Sequence, residues 1–77
     1  MSLVERLRQA GFVVAAMRAE RGTYEDLAEA RNELSTRALE AHWLAQHINE
    51  QIVVDRLKLL DGFADELWEI TKQMRAS

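Results

Sequence analysis

Between Thr23 and Asp61 the chain carries neither glycine nor proline, and so long a stretch without a backbone breaker favours helix. Within it Leu27, Arg31, Leu34, Ala38, Ala41, Ala45, Ile48 and Ile52 recur at alternating four- and three-residue spacing, the a/d pattern of a helix that packs along one seam. Ser35 and Thr36 offer a possible restart, but the heptad keeps its phase across them, which favours one continuous helix over about 24–60. The Asp61-Gly62 pair is a turn signal. The sequence therefore predicts a separate third helix over about 63–76, with a kinked continuation as the alternative because Leu57, Leu60, Ala64, Leu67 and Met74 stay in phase.

The N-terminal segment predicts a helix over about 3–21. Ser2 and Glu5 have the spacing of a capping box, and Leu3, Leu7, Ala10, Val14 and Met17 share one face. Gly22 follows Arg18 and Arg21, so it suits a left-handed C-cap next to cations that favour a helix C-terminus. Thr23 is a candidate N-cap, with Glu25 and Asp26 in the first turn after it. A connection as short as Gly22-Thr23 calls for an antiparallel helical hairpin. In that register Arg18 and Arg21 approach Glu25 and Glu29, and Arg6 and Arg8 approach Glu40. The fold class is all-α, one domain over 1–77: a hairpin with a long second helix and a short C-terminal helix, assembling into an oligomeric helical bundle.

The oligomer follows from size. A chain of 77 residues buries a modest share of its surface and usually needs a disulfide, a metal or a partner. It has no cysteine, so disulfides and thiolate metal sites are excluded. Its 48% hydrophobic content is too high for a disordered chain. The part of helix 2 beyond the reach of helix 1, from Trp43 to Leu60, is roughly 27 Å long, and apolar residues circle most of it. A short third helix covers one side, and a second copy of the chain is expected on another. Trp43 falls at heptad position f, opposite the hairpin seam, with Leu39 one turn before and His47 one turn after. Leu39, Trp43, Leu44, His47, Val53, Leu57 and Leu60 are the candidate interface residues.

The remaining chemistry is thin. Net charge is -3, from 10 basic and 13 acidic residues, which lacks the basic stripe of a nucleic-acid grip. The apolar run from Gly11 to Met17 is far shorter than a membrane span, and a cytoplasmic location is expected. His42 and His47 lie five residues apart, about 140° around a helix, so they cannot chelate one ion within the chain. The ladder Glu25, Glu29, Glu33 reads as a solvated face. Ser2, Ser35, Thr36 and Ser77 have no histidine placed to activate them, so no catalytic residue, metal or cofactor is expected. The leading function is a homo-oligomeric protein–protein interaction module: an adaptor, regulator or inhibitor of the kind a phage or mobile element encodes. One alternative is a nucleic-acid-linked regulator that gathers Arg6, Arg8, Arg18 and Arg21 of helix 1 into a patch. Another is a bundle that binds a ligand near Trp43 and His47.

The turn at Gly22 gives a first test. A β-branched residue there must adopt positive φ, so Gly22→Val should cost roughly 1 kcal/mol or more. An unchanged denaturant midpoint would place the turn elsewhere.

Overall fold

In the computed structural model, which describes residues 1–48 and 50–76, the chain is all-helical. Four helices follow in order: α1 (Leu3–Gln9), α2 (Val13–Arg21), α3 (Tyr24–His47) and α4 (Gln51–Ala76). Local chemistry accounts for the starts of α1 and α3 and for the stop of α2. Ser2 Oγ accepts from the Glu5 N–H at 3.2 Å, and its hydroxyl donates to the Glu5 carboxylate at 3.3 Å. Thr23 repeats the device on α3, accepting from the Asp26 N–H at 3.1 Å. Gly22 takes φ +75° and its N–H bonds the Arg18 carbonyl at 3.3 Å, the single-bond left-handed cap.

The helix expected over 3–21 is divided. Gly11 has φ +90°. Its N–H bonds the Arg8 carbonyl at 3.0 Å, and the Phe12 N–H bonds the Leu7 carbonyl at 2.9 Å. These two bonds make a Schellman cap, and its accompanying apolar pair, Leu7 and Phe12, is buried. α1 then folds back beside α2, where Arg8 reaches Glu20 at 2.6 Å. The bend also re-phases α2. Ala15 and Ala16 face the core, while Val14 and Met17, expected inside, are exposed.

The second correction concerns the last turn. α3 ends at His47, not near residue 60, with Ile48 extended at φ -125°, ψ 100°. α4 starts at Gln51 and runs straight through Asp61-Gly62. Ile48, Ile52, Val53 and Val54 crowd four β-branched residues into seven positions, which lowers helix propensity there. A single glycine inside a helix costs only about 1 kcal/mol against alanine. Folding α4 back on α3 repays that by burying Leu60, Phe63, Leu67 and Thr71 of α4 against Leu27, Ala30, Leu34, Ala38 and Ala41 of α3.

α3 and α4 thus form an antiparallel pair, marked by contacts from His42 to Asp61 at 3.2 Å and from Arg31 to Thr71 at 3.0 Å. α2 lies along the first half of α3, held by ion pairs from Arg18 to Glu29 and from Arg21 to Asp26. α1 lies against α4. Arg6 makes a two-pronged contact with Glu66, at 3.0 and 2.5 Å, in place of the expected approach to Glu40. That hydrogen bond raises the Arg6 guanidinium above its ordinary value. Phe12 meets Phe63 edge to face at 5.8 Å between ring centres. Arg56 covers the same Phe12 ring at 4.6 Å and donates to the Ala10 carbonyl at 3.3 Å.

Two glycines carry opposite expectations. Gly62 is helical, and a Cβ there meets nothing within 4 Å, so Gly62→Ala should raise stability by roughly 0.5–1 kcal/mol. Gly11→Ala has equal space but positive φ, and should lower stability by about 1 kcal/mol. Urea unfolding midpoints check both. A loss on Gly62→Ala would restore the turn at Asp61-Gly62.

Candidate functional site

α1 and α2 accompany α3 and α4 over only part of their length. The nine residues of α2 span about 14 Å, whereas the 24 residues of α3 span about 36 Å. Beyond the Gly11 bend the α3–α4 pair continues alone toward the end of α3 at His47 and the start of α4 at Gln51. This two-helix tip carries the exposed apolar side chains Leu39, Trp43, Leu44, Ile48 and Ile52.

On α3, Leu39 is 70% exposed and Trp43 60% exposed. Their four-residue spacing puts them side by side on the surface turned away from the core alanines. His47 extends the stripe: its ring stacks on Trp43 at 4.2 Å between centres, and its Nδ1 donates to the Trp43 carbonyl at 2.8 Å. His42 instead turns to Asp61 on α4, so the two histidines engage different partners on different sides. Among the described residues no group of His, Asp and Glu is placed to hold a metal ion, and no helix is long and apolar enough to cross a membrane.

On α4 the candidate residues divide. Leu60 is 3% exposed and belongs to the core, with Leu57 packed against it; Val53 is half-buried. Ile52 lies exposed at the tip, whereas Leu59, also exposed, lines a cleft with Arg6 of α1. Ile52 falls on the seam of a helix that runs on to residue 60, and it reaches the surface because α4 starts at Gln51.

The basic residues of the N-terminal segment do not form a free patch. Arg6, Arg8, Arg18 and Arg21 each pair with a carboxylate, from Glu66, Glu20, Glu29 and Asp26 respectively. Trp68 is 53% exposed, with the Arg31 guanidinium 4.5 Å above its ring. Residue 68 sits about 100° around α4 from the buried Leu67, which carries its indole off the core face.

Comparison with protein-family models, with characterised proteins and with solved structures gives no match to this chain.

Proposed function

We propose that this chain is a helix-docking module that self-associates through the tip of its α3–α4 pair and acts on other proteins by contact, as an adaptor, regulator or inhibitor rather than as an enzyme. The observation that carries the reading is the group of exposed large apolar side chains, Leu39, Trp43, Leu44, Ile48 and Ile52, at the end of the pair that α1 and α2 leave uncovered. Solvating a Leu or Trp that a partner would bury forgoes about 1.5–3 kcal/mol per side chain.

A second copy fits this surface on two counts. At the core end, α1 and α2 occupy two positions around α3 and α4. At the tip those positions are filled if a second α3–α4 pair enters from the opposite direction, because the added helices bring the same apolar surface. Such a contact is isologous and closes as a two-fold dimer. The exposed area supports it: 5232 Å² for 8.9 kDa, against about 4,800 Å² for a compact monomer of that mass.

Trp43→Ala should weaken self-association by on the order of 2 kcal/mol or more, roughly thirtyfold in dissociation constant, with helical circular dichroism preserved. Trp68→Ala, away from the tip, should leave the constant unchanged. Sedimentation velocity across a dilution series measures both. A wild-type chain that stays monomeric at micromolar concentration contradicts self-association. An unchanged constant for Trp43→Ala contradicts the tip as its site.

A further inference from the structure

Three cations that no carboxylate neutralises gather at the other end of the α3–α4 pair. Arg31, Lys72 and Arg75 line a cleft of 160 Å³ together with Trp68 and Thr71. Trp68, Lys72 and Arg75 stand at i, i+4 and i+7 on one face of α4, and Arg31 reaches them from α3. None of the three cations has an ion pair among the described residues, whereas every arginine of α1 and α2 does. Glu69 lies one turn before Lys72 and is not paired with any of them.

Arg31 is held in place without being neutralised. Its Nη1 donates to Thr71 Oγ1 at 3.0 Å and its guanidinium lies 4.5 Å over the Trp68 ring. Thr71 is fully buried, and its own hydroxyl donates back to the Leu67 carbonyl at 3.1 Å or the Trp68 carbonyl at 3.0 Å. The favourable field at a helix C-terminus accounts for Lys72 and Arg75 near the end of α4. It does not account for Arg31, which lies in the N-terminal half of α3, where the dipole offers a cation nothing. Three like charges around one cleft repel one another unless an anion sits among them.

We propose that this cleft binds a phosphate-class oxyanion. Arg31 supplies a pre-positioned planar fork, which suits phosphate oxygens, and Lys72 and Arg75 supply two further charges. Free phosphate and the phosphate of a nucleotide share this chemistry, and the half-exposed Trp68 indole gives a nucleotide base a surface to stack on.

The test is a titration of the full chain, followed by two-dimensional amide and indole NMR at constant ionic strength, with inorganic phosphate in one arm and adenosine monophosphate in the other. Saturable shifts of the Trp68 indole and of the Lys72 and Arg75 amides, with a dissociation constant near about 1 mM or tighter and a still Trp43 indole, support the site. Tighter binding of the nucleotide assigns it to nucleotides, and equal binding assigns it to phosphate alone. The doubly substituted Lys72→Gln, Arg75→Gln chain, with unchanged helicity, should bind at least about tenfold more weakly, as expected when charge-assisted hydrogen bonds are lost. Shifts that do not saturate in either arm, shifts that chloride reproduces at matched ionic strength, or undiminished binding by the double variant would overturn the proposal.

Discussion

The two backbone hydrogen bonds that close the cap at Gly11 set the shape of the whole chain. A straight helix over residues 3–21 would be about 28 Å long and would shield most of the α3–α4 pair from one side. The left-handed turn folds it into two short helices instead. This pulls Phe12 into the core against Phe63 and leaves the far end of the pair bare. Coverage is traded for cross-section: the core end is surrounded more fully, and the tip less.

The core that results is close-fitting but small. Ala15, Ala16, Ala30, Ala38 and Ala41 make up much of it, beside Leu7, Phe12, Leu27, Leu34, Leu60, Phe63 and Leu67. Alanines bring helix axes near one another, yet each contributes little buried apolar area compared with leucine. A domain of this size gains little margin from such a core. On the proposed self-association, burial of Trp43, Leu39 and the isoleucines at the tip would add the kind of area the core lacks. The surface ion pairs from Arg8, Arg18 and Arg21 steer the register of α1 and α2 and contribute little to stability.

Much of this was legible from residue types. The helical content follows from the scarcity of breakers. The caps at Ser2, Gly22 and Thr23 follow from their side chains, and the outward placement of Leu39, Trp43 and His47 follows from their positions relative to the heptad seam. Two features were not legible. Asp61-Gly62 is the strongest local turn signal in the second half, but pairing with α3 outweighs a single glycine. α3 instead ends at His47, where the sequence shows only the clustered β-branched residues Ile48, Ile52, Val53 and Val54. Gly11 sits within an apolar pattern that reads as continuous helix, and only the Leu7–Phe12 pairing across it reveals a cap. The cationic cleft was invisible for a different reason: Arg31 and Thr71 are forty residues apart, and the fold alone brings them together.

The central claim of the proposal is that residues 42–48 and 51–56 owe their protection to a second copy, while the core around Leu7, Leu34 and Leu67 protects itself. Amide hydrogen exchange at two protein concentrations, one above and one below the dimer dissociation constant, addresses this directly. The account predicts that dilution speeds exchange strongly in those two segments and leaves the amides near Leu34 and Leu67 almost unchanged. Exchange at the tip that is equally slow at both concentrations would contradict it, because the two-helix end would then be stable on its own.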